Sequence, residues 1–420
     1  MILNPKQKWS IKEATARLNF WHGSVRSGKS IGTDLKSIQA FAEPMKGLPP
    51  DAIDVIIGKT LYALRRNVIN PIIEFVGQRN AEYFPGKQEL RLFGRTVHTI
   101  GANDERSVGK IQGSTIRKCL GDEVVLWPES FFKMLDSRLS LEQSQFFGTM
   151  NPGPPKHYIK RDYIDRCGEE GFNAKHFKFL LDDNIALLKA SPAYIQAIKK
   201  NYTGLWYRRF ILGEWCMAEG AIYDFFDENA HVITKTPEAE YYILGGDYGT
   251  SNPTCFILFG VNRKSRPKIW AEHEYYFDSA KAQRQKTNGE YSEDFIEFCK
   301  EKLGKYWQTL LRRSYFDPSA ESLQLQLRKD GVASVVDANN EVLTGIACVA
   351  TMLKTGEYAI HERCENLISE KSAYVWDSKK QEKGIDEPLK TNDHASDAER
   401  YGVFSEFGDE ISDLSLLSVM

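Results

Sequence analysis

The sequence has few of the features that mark secreted, membrane or metal-stapled proteins. Its seven cysteines are scattered, odd in number and include no C-x-x-C pair, which argues against a zinc ribbon or a disulfide framework. No run approaches the about 18 apolar residues that span a bilayer, and the stretch from Met1 to Lys6 has no apolar signal segment. We therefore expect reduced thiols and a cytoplasmic protein without a membrane partner.

The chain also lacks an excess of charge of either sign. Its 55 Lys and Arg residues face 57 Asp and Glu residues, for a formal net charge of −2. A nucleic-acid partner would have to be held by local basic patches, and histone-like coating of DNA is excluded. With 42% hydrophobic residues, no internal repeats and 420 residues, the chain is long enough for two or three folded domains of about 150 residues each.

Short apolar runs alternate with helical stretches through the first half, which predicts an α/β fold with a parallel sheet. The pattern gives way to turn residues and isolated aromatics from about Gly213 to Glu240. Two strand-like runs joined by a turn then open a second sheet-based domain. We predict a first domain over residues 1–215, a linker over 216–238 and a second domain over 239–420 that ends in an acidic tail.

One segment matches the phosphate-binding motif G-x-x-x-x-G-K-[ST] in full, through Gly23, Ser24, Val25, Arg26, Ser27, Gly28, Lys29 and Ser30. It follows a strand-like segment and precedes a helix-compatible one, as the motif requires. Its glycines let backbone N–H groups approach phosphates, Lys29 would reach the β- and γ-phosphates, and Ser30 would ligate Mg²⁺. The motif predicts ATP and Mg²⁺ as cofactors, although alone it also fits a kinase, a GTPase or a transporter subunit.

Polar residues at two further strand ends narrow this choice. Asp122 and Glu123 follow a strand-like segment that is less apolar than usual, because Arg117 and Lys118 precede Cys119. At such a strand end an Asp can hold Mg²⁺ through water and a Glu can polarise the attacking water of an ATPase. Thr149 and Asn151 end another strand and would lie near the γ-phosphate if the two strands are neighbours. Without the phosphate-binding motif, an exposed acidic turn would explain the Asp-Glu pair equally well.

Three aspartates stand at apparent element ends in the second half: Asp247, Asp317 and Asp397. Carboxylates are ligands for hard divalent metals, and two ions about 4 Å apart catalyse phosphodiester cleavage. Each aspartate alone is more simply a turn or cap residue, and only the three together predict two Mg²⁺ or Mn²⁺ ions. Asp393 and His394 are alternative ligands or supporting groups.

These motifs together resemble the large terminase subunit of tailed bacteriophages, the DNA-packaging motor and nuclease. The resemblance covers nearly the whole chain and rests on Gly23–Ser30, Asp122–Glu123, Thr149–Pro152, Gly213–Tyr223, Gly246–Gly249, Phe316–Pro318 and Asp393–Tyr401. It implies an N-terminal P-loop ATPase of the helicase-like type and a C-terminal nuclease with an RNase H-like fold. The family's ATPase roles fall to Lys29, Asp122 and Glu123, its metal-binding acids map onto Asp247, Asp317 and Asp397, and Gln7 resembles its adenine-reading glutamine.

The resemblance implies ATP-driven translocation of double-stranded DNA into a procapsid and metal-dependent cleavage of concatemeric DNA. The implied partners are a small terminase subunit, the portal protein and further copies in a ring. The protein would act in the host cytoplasm and transiently at the portal, and would be absent from the mature virion. Two alternatives stay open: a helicase or remodeller with a non-catalytic RNase H-like domain, and a DNA-binding assembly platform that uses ATP as a switch.

Two positions depart from the family pattern. Glu399 stands where relatives have an apolar residue, and Gln112 stands where many have an arginine. The arginine that assists hydrolysis is therefore left open among Arg26, Arg106 and Arg138. For DNA contacts we consider the basic and aromatic segment 199–209, which can equally be a packed helix pair, and the Arg312-Arg313 pair.

Overall fold

The computed structural model describes residues 3–44, 47–202, 204–218, 220–249 and 252–413. The chain divides into two compact units. The first comprises Met1–Met217 together with Glu382–Ile385, and the second comprises Ala218–Gln381 together with Asp386–Met420. Each unit has its own sheet and its own hydrophobic core.

The first unit contains a sheet of eight strands among its described residues. The strands are β1 (Leu18–Gly23), β2 (Ala52–Gly58), β3 (Ala81–Phe84), β4 (Glu89–Leu92), β5 (Arg95–Gly101), β6 (Thr115–Gly121), β7 (Gln145–Met150) and β8 (Ala174–Phe179). They are arranged in the order β3-β4-β5-β2-β6-β7-β1-β8. The pairs from β5 to β8 are parallel, and the β3-β4-β5 edge is antiparallel. The predicted parallel α/β sheet is confirmed.

Helices of the first unit cover this sheet. They are α1 (Pro5–Glu13), α2 (Lys29–Ala42), α3 (Leu61–Leu64), α4 (Asn70–Val76), α5 (Glu129–Arg138), α6 (Ile185–Ala190), α7 (Pro192–Asn201) and α8 (Gly204–Trp206). The largest core cluster joins aromatic side chains of the central strands to α5, with Phe20, Phe132 and Phe146 fully buried. This packing fixes the carboxyl ends of β1, β6 and β7 side by side.

The second unit contains a mixed sheet of seven strands among its described residues. The strands are β9 (Val232–Ile233), β10 (Tyr241–Asp247), β11 (Thr254–Val261), β12 (Ile269–Phe277), β13 (Leu311–Phe316), β14 (Val335–Asp337) and β15 (Tyr358–His361). Their order is β14-β13-β10-β11-β12-β15-β9. β10, β11 and β12 form an antiparallel meander, while β13 pairs in parallel with both β10 and β14.

The helices of the second half of the chain are α9 (Glu228–His231), α10 (Asn288–Leu303), α11 (Trp307–Leu310), α12 (Glu321–Lys329), α13 (Val342–Thr355), α14 (Glu365–Ala373), α15 (Ser378–Glu382) and α16 (His394–Asp413). α16 packs directly on β10. A Cβ added at Gly245 would lie only 2.0 Å from the carbonyl oxygen of Ala398, so the glycine permits this close approach. Among the described residues, no helix is long and apolar enough to cross a membrane.

Two boundaries differ from the sequence-based interpretation. Residues 218–238, treated as linker, belong to the second unit, because Ala221 bridges to Val375 and β9 pairs with β15. The expected acidic tail is helical in α16 as far as Asp413, and residues 414–420 lie outside the described part of the chain. The Glu406 side chain in that tail is buried and accepts hydrogen bonds from Tyr241 and Tyr315, so it is part of the core.

Candidate functional site

The phosphate-binding loop leaves the carboxyl end of β1 and leads into α2. β1 is buried along its whole length between β7 and β8, so the loop starts from a fixed point. Gly23 has a φ of 134°, and a Cβ there would lie 1.8 Å from the carbonyl oxygen of Phe179. Gly28 is in the left-handed region, with a φ of 81°, where α2 begins. Loops of this strand–loop–helix geometry aim backbone N–H groups at a phosphate.

Lys29, the lysine of the motif, is buried and spans the loop. Its Nζ donates to the carbonyl oxygen of Ser24 at 3.0 Å and to Oδ1 of Asn151 at 2.8 Å. Burial lowers the pKa of Lys29 to about 8, against the attraction of Glu123 and Asp122. The predicted lysine and amide side chains are therefore brought together at the end of β1, where an ammonium group faces the loop.

Asp122 and Thr149 meet because β6 and β7 are parallel neighbours. The Thr149 hydroxyl donates to Oδ1 of Asp122 at 3.0 Å. Burial raises the pKa of Asp122, while the hydrogen bond from Thr149 and the charge of Lys29 lower it. Glu123 follows in the left-handed region with a φ of 51°, an unfavourable conformation for a residue with a side chain. The structure thus places the predicted acidic pair at the mouth of the loop.

Two buried polar atoms of the loop have no hydrogen-bond partner among the described residues: Oγ of Ser27 and Nη2 of Arg26. Burial also lowers the pKa of Arg26. Unsatisfied buried donors are costly, so both atoms fit an anionic ligand in the loop.

The other two candidate arginines lie outside the loop. Arg106 is exposed after β5, and Arg138 at the end of α5 donates to the Ser137 hydroxyl. Arg26 is the candidate within the loop itself.

Gln7 is attached to the loop by its side chain. Its Nε2 donates to the carbonyl oxygen of Gly28 at 2.9 Å, and its Oε1 accepts from the Asn4 backbone at 3.0 Å. These hydrogen bonds therefore connect α1 to the loop.

Two further residues of the motif lie at the edges of the loop. The backbone N–H of Val25 donates to the carbonyl oxygen of Phe210. Ser30 is exposed at the start of α2, where its hydroxyl is accessible to a cation beside the phosphates.

The three C-terminal aspartates lie in one neighbourhood of the second unit. Asp247 ends β10, Asp317 follows β13, and the two strands are parallel neighbours. Asp397 lies in the first turn of α16, which packs on β10. Burial raises the pKa of Tyr401, and the charges of Asp397, Asp247 and Asp317 all add to that rise. The Tyr401 hydroxyl donates to Oδ2 of Asp317 at 3.0 Å and so links α16 to the end of β13.

Asp247 has a histidine partner. Its Oδ2 lies 2.8 Å from Nδ1 of His394, the residue that begins α16. Burial raises the pKa of Asp247, with a further rise from the charge of Asp397 and a counteracting effect of His394. Although burial alone would lower it, the pKa of His394 is raised by Asp247. Each of the two groups therefore has, within hydrogen-bonding distance, a partner that favours its charged form.

Asp317 is held by neutral donors. It accepts hydrogen bonds from the Ser319 backbone at 2.8 Å, the Tyr401 hydroxyl at 3.0 Å and the Asn340 amide at 3.3 Å. Burial acts to raise the pKa of Asp317, but these donors outweigh it and the pKa is lowered. Asp317 is consequently ionised and aimed by its neighbours.

Asp397 is held by two cations. Its Oδ1 accepts from Arg400 at 2.9 Å and its Oδ2 from Lys390 at 2.9 Å. Burial acts to raise the pKa of Asp397, but these charges outweigh it and the pKa is lowered. Lys390 also lies 3.1 Å from Oδ2 of Asp393, whose carboxylate is buried four residues before Asp397.

As the side chains stand, the described part of the chain contains no group of three or more His, Cys, Asp or Glu residues that could hold a metal ion. The acids nevertheless suit a hard divalent cation by their chemistry, since Asp247 and Asp317 end neighbouring parallel strands and Asp397 lies on the helix that packs on both strands. Each of the three carboxylates is turned toward an internal donor instead: His394 for Asp247, Tyr401 for Asp317, Lys390 for Asp397.

Sequence reasoning missed several residues of this second site. Tyr401 lies four residues after Asp397 and shares its helix face, a spacing that was available as a signal. Glu370 accepts from the Ser396 backbone at 2.9 Å and thereby holds the first turn of α16, and burial raises its pKa to about 7. Glu370 and Lys390 come from separate elements, so no motif marks them.

The departure at Glu399 has a structural explanation. Glu399 is buried in α16 and forms an ion pair with Lys371 of α14, which is equally buried. The Lys371 ammonium also lies 3.6 Å from the centre of the Tyr223 ring. A paired charge thus replaces the apolar contact expected at this position.

The candidate DNA contacts are engaged within their own units. In the segment 199–209, Lys199 pairs with Asp182, Arg208 pairs with Glu214, and Arg209 is buried against the backbone of Cys216. These contacts favour the packed-helix interpretation.

The second candidate, the Arg312-Arg313 pair, lies on β13. Arg313 precedes Asp317 by four residues, which separates the two by about 13 Å of strand, and its guanidinium forms an ion pair with Glu406. A place beside the acid cluster is therefore not supported for this pair.

Comparison with known proteins identifies the family. The model for "Terminase large subunit, T4likevirus-type, N-terminal" matches residues 71–230. The large terminase of a thermophilic bacteriophage in complex with ADP is similar at 33% identity, covering 96% of this chain and 99% of that one with a TM-score of 0.84. The same terminase in complex with ATP-γ-S matches at 32% identity, the same coverage and a TM-score of 0.83. No curated protein matches the sequence. The chain belongs to the large terminase family of bacteriophages.

Proposed function

We propose that the first unit hydrolyses ATP to move double-stranded DNA into a procapsid. The observation that carries this proposal is the loop around Lys29. There, a buried ammonium and two buried polar atoms without partners among the described residues line an anion-binding turn. The similar terminase of the thermophilic bacteriophage was solved with ADP and with ATP-γ-S, which supports a nucleotide as the anion.

The roles of the loop residues follow from their positions. Lys29 would meet the β- and γ-phosphates, while Ser30 and Asp122 would hold Mg²⁺. Glu123, next to Asp122, would orient the attacking water. Thr149 is hydrogen-bonded to Asp122 and would register the loss of the γ-phosphate at the end of β7. Gln7 and Arg26 stay candidates for contacts to the base and to the developing phosphate charge.

The second unit is proposed to cut the DNA. Asp247, Asp317 and Asp397 would hold two divalent ions, Mg²⁺ or Mn²⁺, which supply water activation and stabilisation of the leaving oxygen. The chain's own residues orient these acids: Tyr401 donates to Asp317, and His394 lies 2.8 Å from Asp247. The packing of α16 on β10 and β13 holds the three acids close despite their mutual repulsion.

Family membership places the protein in DNA packaging, and the finer partners are part of the proposal. We expect a small terminase subunit to deliver the DNA, a portal protein to dock the motor, and several copies to form a ring around the duplex. The work would take place in the host cytoplasm and transiently at the portal, with the protein absent from the finished virion.

Two activities of the full-length protein test this function. Phosphate release from ATP and linearisation of plasmid DNA in Mn²⁺ or Mg²⁺ should both be measurable in the same preparation. ATP-driven separation of a short duplex, with no cleavage at any metal concentration, would point instead to a helicase with a non-catalytic second domain. Absence of both turnover and cleavage would leave an assembly platform.

A further inference from the structure

Lys390 occupies an unusual place among the acids of the second unit. Its Nζ lies 2.9 Å from Oδ2 of Asp397 and 3.1 Å from Oδ2 of Asp393. The lysine side chain is 60% exposed, whereas those of the two aspartates are 8% and 6% exposed. An ammonium group thus reaches from the surface into a pair of buried carboxylates.

The two cations on Asp397 differ in kind. Arg400 belongs to the same helix, is only 2% exposed and also donates to the backbone oxygen of Asn340, so it is fixed. Lys390 precedes α16, and its ammonium contacts the carboxylates of Asp397 and Asp393. A lysine on a flexible four-carbon stem can leave such a place at the cost of side-chain contacts alone.

We propose that Lys390 is an internal cation that neutralises the acid cluster when no metal is bound and that a divalent ion must displace. This inference rests on the proposed nuclease function. Both oxygens of Asp397 are already engaged, Oδ1 by Arg400 and Oδ2 by Lys390, so a divalent ion would have to displace one of these two cations to bind this carboxylate.

The consequence is a threshold for metal binding. A divalent ion gains more from two carboxylates than a monovalent ammonium does, but its apparent affinity is reduced by the free energy of the contact that it breaks. For a partly exposed ion pair that contact is worth an affinity change of about fivefold. Lys390 would thereby keep the cutting site inactive at low metal concentration without contacting DNA.

The test is Mn²⁺ binding to the full-length, nucleotide-free protein by calorimetry. Lys390→Met keeps the length of the side chain and removes its charge, and should tighten Mn²⁺ binding about fivefold. Lys390→Arg keeps the positive charge beside the two carboxylates, so it should not tighten Mn²⁺ binding. The matched control is Lys264→Met, because that lysine is 88% exposed and pairs with Glu240 in the same unit.

A second readout uses thermal unfolding. Without its internal cation, Lys390→Met should unfold at a lower temperature than the wild type in EDTA and should gain more from added Mn²⁺, whereas Lys264→Met should shift neither value. Unchanged or weaker Mn²⁺ binding by Lys390→Met would overturn the proposal.

Asp247→Asn separates the two possible failures. If it abolishes Mn²⁺ binding while Lys390→Met binds like the wild type, the metal site stands and the role of Lys390 is refuted. If Mn²⁺ binding is the same in Asp247→Asn as in the wild type, the proposed nuclease site itself fails, and the inference about Lys390 falls with it.

Discussion

The two candidate sites of this protein are built with opposite charge. In the first unit, a buried lysine and backbone N–H groups line a loop in which Ser27 and Arg26 keep polar atoms that no described residue satisfies. In the second unit, Asp247 is paired with His394, Asp317 accepts from Tyr401, and Asp397 is paired with Lys390 and Arg400. Under the proposed function, the first site would be completed by an anion and the second by cations.

This difference in charge explains how burial can favour nucleotide binding in one unit and metal binding in the other. Burial disfavours charge of either sign, so it lowers the pKa of Lys29 and raises that of Asp247. Each group then gains most from a ligand of opposite charge. A near-neutral chain with a net charge of −2 can therefore bind both a nucleotide and metal ions, because the charges are sorted between units.

The largest expected effect is loss of ATP turnover in Lys29→Ala. Removing the ammonium that faces the loop should reduce phosphate release about 1000-fold, since a preorganised charge next to the phosphates is lost. Metal-dependent DNA cleavage by the same protein should be retained. Lys133→Ala is the control, as that lysine is 58% exposed on α5. Loss of cleavage together with turnover would show that the two sites are not independent.

Asp247→Asn should have the converse effect. Replacing this carboxylate should lower Mn²⁺-dependent linearisation of plasmid DNA about 100-fold and leave ATP turnover unchanged. Asp278→Asn removes an acid from an exposed turn of the same unit and should cut like the wild type. Cleavage by Asp247→Asn at the wild-type rate would mean that the acid cluster is not the cutting site.

The sequence was sufficient for the fold class, the family and the position of the phosphate-binding loop, because these depend on local motifs at strand ends. Arg117 and Lys118 make β6 less apolar than is usual for a central strand. In the structure Arg117 bonds Asp54 within the sheet at 2.8 Å and Lys118 reaches Gln145 at 2.7 Å, so their charges are satisfied. Periodicity alone does not reveal such pairs.

The partners of the acid cluster could not be predicted in the same way. Lys390 and Glu370 approach α16 from elements that are separate in sequence, and their positions depend on how α14 and the segment before α16 pack. The acidic tail is a related case: its composition does not reveal that Glu406 of α16 accepts hydrogen bonds from Tyr241 of β10 and Tyr315 of β13. Tertiary contacts between distant segments decide these cases.

A smaller effect concerns the pH dependence of nucleotide binding. Because burial lowers the pKa of Lys29 to about 8, the lysine is mostly protonated at pH 7 and mostly neutral at pH 9. Only the protonated form attracts phosphates, so ADP affinity without Mg²⁺ should fall about tenfold as the pH rises from 7 to 9. Calorimetric titration at both pH values checks this. Lys29→Arg should flatten the profile, and a flat profile in the wild type would contradict the assigned burial of the charge.

The smallest effect is expected for Tyr401→Phe, which tests how the acid cluster is aimed. The change removes the hydroxyl that donates to Asp317 at 3.0 Å while keeping the ring in place. Asp317 retains the Ser319 and Asn340 donors, so Mn²⁺ affinity should weaken only about fivefold, which corresponds to the net contribution of about 1 kcal/mol from a typical hydrogen bond. ATP turnover should not change, which keeps the effect within the second unit. A loss of cleavage as large as that of Asp247→Asn would mean that the tyrosine takes part in the reaction itself. Tyr401 would then count among the reacting groups of the second site and not among the donors that orient its carboxylates.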